Sequence, residues 1–233
     1  MNEPKSVVKL GDCMEFMKEL PDNYVDLACL DIPYGIDAAN MSLGSGGGVY
    51  RKKEAYQKKD WDKELPSDEY FYEIFRISKN QIFWGANHFI EKIPYNSSCW
   101  IVWDKNNGAT DFADCELAWT SFNMPVRKFK FTWSGFIQGN MKDKEKRIHP
   151  TQKPRELYAF CYKLAKLDKK SIILDTHTGS QSSRIAAYKL GFDFIGYEID
   201  PDYFKDGCER FEKECKGVIQ QKDGVKLIQQ TLF

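Results

Sequence analysis

The chain has 233 residues, of which 42% are hydrophobic and 29% charged, and its 34 basic and 34 acidic side chains balance to a formal net charge of zero. That length buries one substantial core without a second domain, no apolar run reaches the roughly 18 residues of a membrane span, and no signal peptide is expected at the N-terminus. Seven cysteines without a CxxC pair and three dispersed histidines argue against a disulfide frame or a metal site, so no metal and a reducing cytoplasm are expected.

In chain order, Val7 to Leu10 reads as a short strand with Asp12 at its tip, and 12–20 as a helix with Met14, Met17 and Leu20 apolar, closed by Pro21. Residues 25–30 form an apolar strand that runs into Asp31-Ile32-Pro33-Tyr34, followed by Gly35. An acid, a proline and an aromatic at a strand tip suit work on the flat amino group of a nucleobase, whose lone pair is delocalised into the ring. The Asp31 carboxylate and the backbone carbonyl of Ile32 or Pro33 can accept its N–H bonds, Pro33 fixes the local φ, and Tyr34 offers a face for a base drawn out of its helix. An ordinary strand end entering a turn would use the same residues.

The stretch 36–62, glycine-rich from Gly44 to Gly48 and then basic, reads as a long mobile loop. A helix over 67–78 begins at a Ser67 cap, with Tyr70, Phe71, Ile74, Phe75 and Ile77 apolar. Strands follow at about 80–84, 99–103, 116–121 and 128–133, with the connection Asn106 to Asp114 placed to help read a target, and a helix covers 155–167. Ser171 to Asp175 is a further strand, Thr176-His177-Thr178-Gly179-Ser180 a loop, and Gln181 to Leu190 a helix stopped by Gly191. Strand, glycine-containing loop and helix form the turn in which backbone N–H groups receive an anion. The next strand, 192–197, ends in Glu198, at the spacing of the acid that holds the ribose hydroxyls of an adenosine cofactor; a solvated strand-end charge is the plainer alternative. With a last helix at 201–214, the alternation predicts an α/β fold, a doubly wound, mainly parallel sheet with helices on both faces. One domain is expected over 1–228, with a tail at 229–233.

Charge is unevenly placed along this neutral chain. Residues 126–155 hold nine basic residues (Arg127, Lys128, Lys130, Lys142, Lys144, Lys146, Arg147, Lys153 and Arg155) against Asp143 and Glu145. A second basic stretch contains Arg51, Lys52 and Lys53. Both follow the 31–34 tetrapeptide in sequence and make Arg51, Lys52, Lys53, Arg127, Lys128, Lys144, Lys146 and Arg147 the candidate phosphate contacts with double-stranded DNA, with 104–147 the expected target-recognition region. A solvated charged loop is the alternative.

Taken together, Asp31 to Tyr34, Asp175 to Ser180, the opening Gly11-Asp12-Cys13, Phe83 to Phe89 and His149-Pro150-Thr151-Gln152-Lys153-Pro154 resemble the amino-directed DNA methyltransferases, with their D-P-P-Y motif and D-P-F-x-G-S-G cofactor loop. The resemblance spans nearly the whole chain, in the order of the permuted beta arrangement known from phage and bacterial members. It implies a Rossmann-like methyltransferase fold, circularly permuted, using S-adenosyl-L-methionine to methylate DNA in the manner of restriction-modification enzymes. It assigns catalysis to Asp31, Ile32, Pro33 and Tyr34, and cofactor binding to Asp12, Asp31, Thr151, Lys153, Asp175, His177, Thr178, Gly179, Ser180, Glu198 and Ile199. Asp31 leans towards adenine N6, since cytosine enzymes often carry serine there; N4-cytosine methylation, or an idle DNA- or clamp-binding protein retaining the fold, are the alternatives. Two positions depart from the family pattern: Ile32 replaces a proline, and Gln181 stands where a glycine is common, so that its side chain restricts close approach to a ligand. Gln229-Gln230-Thr231-Leu232-Phe233 resembles the pentapeptide that docks bacterial proteins on the replication sliding clamp; Leu232 and Phe233 packing back on the domain is the plainer reading.

Overall fold

A computed structural model describes residues 3–35, 64–108, 113–134, 137–220 and 226–228. The strands are β1 (Ser6–Leu10), β2 (Leu27–Leu30), β3 (Gln81–Trp84), β4 (Trp100–Asp104), β5 (Cys115–Thr120), β6 (Arg127–Lys130), β7 (Trp133–Ser134), β8 (Ile137–Gln138), β9 (Ile172–Asp175), β10 (Asp193–Glu198), β11 (Val218–Gln220) and β12 (Lys226–Ile228). The helices are α1 (Cys13–Met17), α2 (Asp68–Ile77), α3 (Arg155–Leu164), α4 (Ser182–Leu190) and α5 (Pro201–Lys216). Eight strands form one sheet in the order β1-β10-β9-β2-β3-β5-β4-β6. The run from β1 to β3 is parallel, whereas β5 lies antiparallel between β3 and β4.

Both faces of the central strands are covered, which is why β2 reads Leu-Ala-Cys-Leu without a polar residue. The pleat sends Leu27 and Cys29 to one core, with Trp84, Trp103, Leu157 and Tyr162, under α3 and α4. Ala28 and Leu30 go to the other, with Phe83, Trp119, Ile74 and Met17, under α1 and α2. Fully burying an aliphatic or aromatic side chain contributes about 1.5–3 kcal/mol, so these two cores hold the sheet rigid beneath whatever its strand tips carry. Caps agree with composition: Ser67 starts α2 by accepting from the Tyr70 N–H, Asp200 starts α5 with Pro201 following, and Gly217 ends α5 at φ 65°.

The expected helix at 12–20 shortens to Cys13–Met17, continuing as turns through Leu20. The expected strand at 128–133 divides, because the chain leaves the sheet edge after Lys130 and Trp133–Ser134 pairs with Ile137–Gln138 instead. The β11–β12 hairpin had no clear alternation to announce it. The glycine-rich loop at 36–62, Arg51, Lys52 and Lys53, and the tail Gln229–Phe233 lie outside the described residues. Among those described, the cysteines are free, no helix is long and apolar enough to cross a membrane, and no group of metal-ligating side chains assembles.

Candidate active site

Strands β2 and β9 are parallel neighbours, Leu27 against Ile173 and Ala28 against Leu174. From β9 the chain crosses to β10 on one side, and from β2 to β3 on the other. Their C-terminal ends therefore bound the crevice that opens where winding reverses. A cavity of about 250 Å³ sits there, lined from β2 by Asp31 and Pro33, from the loop after β9 by His177 to Ser180, and from the tip of β10 by Glu198 and Ile199. The segment before α3 closes it with His149, Thr151, Gln152 and Lys153.

The loop after β9 is held by backbone and carboxylate together. Thr178 N–H donates to the Tyr197 carbonyl at 3.0 Å, and Gly179 N–H donates to Glu198 Oε2 at 2.6 Å. Glu198 Oε1 accepts from the Asp200 N–H at 3.0 Å. Burial raises the pKa of Glu198 even against these donors. Gly179 has φ +45°, and a Cβ there would come within 3.4 Å of the His149 ring. The Thr178 hydroxyl is buried with no hydrogen-bond partner among the described residues. His177 is pushed down to about 4 by burial, which Asp12 offsets only in part, and is thus neutral at pH 7.

Two expected cofactor positions, Asp175 and Asp12, and the departing residue Gln181 sit apart from the cavity. Asp175 is buried behind the loop, where it accepts from the Ser183 hydroxyl and the His177 N–H, and burial pushes it up to about 7. Asp12 caps α1 through the Met14 N–H rather than lining the cavity. Gln181 adopts φ 57°, so its side chain turns away towards α5, where it reaches the Phe204 carbonyl and accepts from Arg184. The restriction expected from that side chain therefore falls on the α4–α5 contact, where Gly207 makes room for it.

At the other wall, Asp31 Oδ1 accepts from the Tyr34 hydroxyl at 2.6 Å and from Lys153 Nζ at 2.6 Å. Lys153 also lies 3.2 Å from Glu116 Oε2, and Glu116 lies 2.6 Å from Lys105. Burial opposes the Lys153 charge, but Asp31 and then Glu116 outweigh it and hold the ammonium pKa well above its usual value. Burial likewise opposes ionisation of Glu116, yet Lys153 and Lys105 keep it below the ordinary carboxylate range. Ile32 is buried, its side chain in the core beneath α1 and α2, so it fills space that a proline would leave. The Tyr34 ring stacks on His88 at 5.2 Å and 16°, and only a glycine fits at 85, where a Cβ would meet that ring at 2.2 Å. In this structure Tyr34 is turned inward on Asp31 and His88, not presented as an open platform.

Sequence reasoning missed Glu116, Lys105, Tyr158 and Tyr203. A glutamate inside Cys-Glu-Leu-Ala-Trp-Thr was the visible signal for the first. The basic surplus of 126–155 is partly consumed indoors. Lys153 faces Asp31, the Arg147 guanidinium lies 4.4 Å over the Trp133 ring, and Arg155 pairs with Asp143 and Glu214. Lys128 is exposed beside Asp104 on the edge strand, as is Arg127 in part, while Lys144 and Lys146 are exposed along a groove against α5.

Residues 105–209 match a family profile described as DNA methylase, the N6/N4 amino-methyltransferase profile. The type II methyltransferase M.HinfI of Haemophilus influenzae is 28% identical over 93% of this chain and 70% of its own length. The type II methyltransferase M2.DpnII of Streptococcus pneumoniae is 26% identical over 91% of this chain and 92% of its own. Among solved structures, TTHA0409 of Thermus thermophilus, complexed with S-adenosyl-L-methionine, superposes with a TM-score of 0.56 at 17% identity, covering 91% of this chain and 95% of that one. The fold is that of these proteins.

Proposed function

The chain belongs to the N6/N4 amino-methyltransferase family of DNA methylases, and on that premise we propose that it transfers a methyl group from S-adenosyl-L-methionine to adenine N6 in double-stranded DNA. One observation carries the reading: Asp31 and Pro33 share a single cavity with Gly179 and Glu198, although almost 150 residues separate the two walls. The residues present suit the cofactor. Glu198 retains acceptor lone pairs beyond its two N–H bonds for ribose hydroxyls, the Thr178 hydroxyl, buried without a partner among the described residues, suits a polar group of the cofactor, and exposed Ile199 offers an apolar flank. Thr151 and Lys153 supply polar groups for a charged tail.

When bound, S-adenosyl-L-methionine would supply an electrophilic methyl, its C–S electron pair returning to sulfur as the amino lone pair forms the N–C bond and the surplus amino proton passing to solvent water. Asp31 accepts an amino N–H and draws that nitrogen out of conjugation, helped by the backbone carbonyl of Ile32 or Pro33. Tyr34 leaves Asp31 Oδ1 when the base enters and turns its ring to the base. Adenine is favoured over cytosine by the acid at 31, on family resemblance. The tail Gln229–Phe233 belongs to the proposal as a sliding-clamp peptide on its sequence alone.

The test is expression in a host lacking DNA methylation, followed by nucleoside mass spectrometry of its DNA. N6-methyladenine is expected. N4-methylcytosine would overturn the choice of base, and unmodified DNA the activity.

A further inference from the structure

We propose that Glu116 is a positioning residue for methyl transfer: it holds the buried Lys153 ammonium and balances its charge, so that Asp31 can stabilise an amino nitrogen as it turns cationic. The inference rests on the methyl-transfer reading and extends it to a residue that does not line the cavity.

The antiparallel direction of β5 is what makes this contact. Its first residues lie at the sheet edge where β2 and β3 end, with Trp84 facing Ala118 and Glu116 facing Trp103. From there Glu116 reaches Lys153, whose side chain is only 5% exposed, and beyond it Lys105. Four charges of alternating sign thus run from the cavity outward: Asp31, Lys153, Glu116, Lys105.

The amino nitrogen carries positive charge from the moment it is alkylated until it loses its proton. Asp31 is suited to stabilise that charge, but an ammonium 2.6 Å from the same oxygen cancels it. In a buried site such opposition is weakly screened. Glu116, 3.2 Å from the ammonium, offsets its charge and gives Lys153 a second ion-pair partner, towards which it can lean when the base takes Oδ1.

The experiment measures single-turnover transfer to unmethylated phage DNA, with S-adenosylhomocysteine affinity by calorimetry as a readout independent of turnover. Glu116→Gln should slow transfer by about tenfold to a hundredfold while affinity stays within about twofold. Glu116→Asp, which keeps the charge, should recover most of the rate. With Lys153→Met already in place, adding Glu116→Gln should cost no further rate, because the cation to be offset is gone. That last comparison also serves if Glu116→Gln alone does not fold, since the double variant leaves no lone buried ammonium. A Glu116→Gln rate within twofold of wild type, equal losses in rate and affinity, or a further tenfold loss in the Lys153→Met background would each overturn the role. Wild-type protein that transfers nothing sinks the methyl-transfer reading and this inference with it; active wild type beside a full-speed Glu116→Gln sinks Glu116 alone.

Discussion

Asp31 Oδ1 accepts from Tyr34 and Lys153 at the same 2.6 Å, so the atom expected to receive an amino N–H is already in use. In the proposed reaction, exchange of those donors for the base is the local event on which turnover would depend. Asp31→Ala removes the acceptor outright, and one preorganised contact of this type is worth roughly 3 kcal/mol. We expect at least about a hundredfold loss of turnover with calorimetric S-adenosyl-L-methionine affinity retained; near-normal methylation would remove Asp31 from the mechanism. Glu198 occupies the opposite wall, its two oxygens already on Gly179 and Asp200. Glu198→Ala would remove the proposed ribose acceptor and loosen the loop, at a net cost of roughly 1.5–3 kcal/mol. Cofactor affinity should fall about tenfold to a hundredfold, and an unaltered binding isotherm would move the cofactor elsewhere.

The elements that matter most are the turn between β9 and α4 and the helix that braces it. Arg210 on α5 donates to the Ser180 carbonyl at 3.0 Å and the Ser182 hydroxyl at 2.9 Å while pairing with Glu145 and Glu214. Arg210→Met leaves Glu145 buried without its guanidinium, which costs about 3–5 kcal/mol, and should lower the melting temperature and weaken cofactor binding together. A variant that melts normally would mean the pair is replaceable. Asp175 makes the same turn sensitive to pH. Its folded pKa of about 7 lies above the ordinary 3.8, so folding favours the protonated acid. Its stabilising contribution is fully present below about pH 4 and is lost as pH rises through about 7. Thermal melts should therefore show wild type losing ground to Asp175→Asn between pH 4 and 7, with a constant gap above; parallel curves throughout would contradict the burial argument.

For the whole molecule, net charge zero conceals a division between charges used inside and charges shown to solvent. Of the described candidates for phosphate contact, Lys128, Lys144 and Lys146 are exposed, whereas Arg147 lies over Trp133. Replacing those three lysines by alanine should reduce the salt slope of DNA binding by about one per lost contact. Cognate and unrelated DNA should weaken alike, because phosphates carry no sequence information. A slope that does not change assigns these lysines to solvent.

Local sequence determined the strands and helices that flank the cavity, because their information is local. Periodicity, the Ser67 cap, the Gly191 stop and the uninterrupted apolar run of β2 each act within a few residues. It also determined the segments that line both walls of the cavity, since a strand tip and the loop after it are contiguous in the chain. What it left open depends on which distant segments meet. The antiparallel course of β5 alone brings Glu116 to Lys153. The αL turn at Gln181 alone sends that side chain to α5 instead of to the ligand. Whether a lysine in 126–155 faces phosphate or a buried carboxylate follows from the packing around it, and packing is decided only once the whole sheet has assembled.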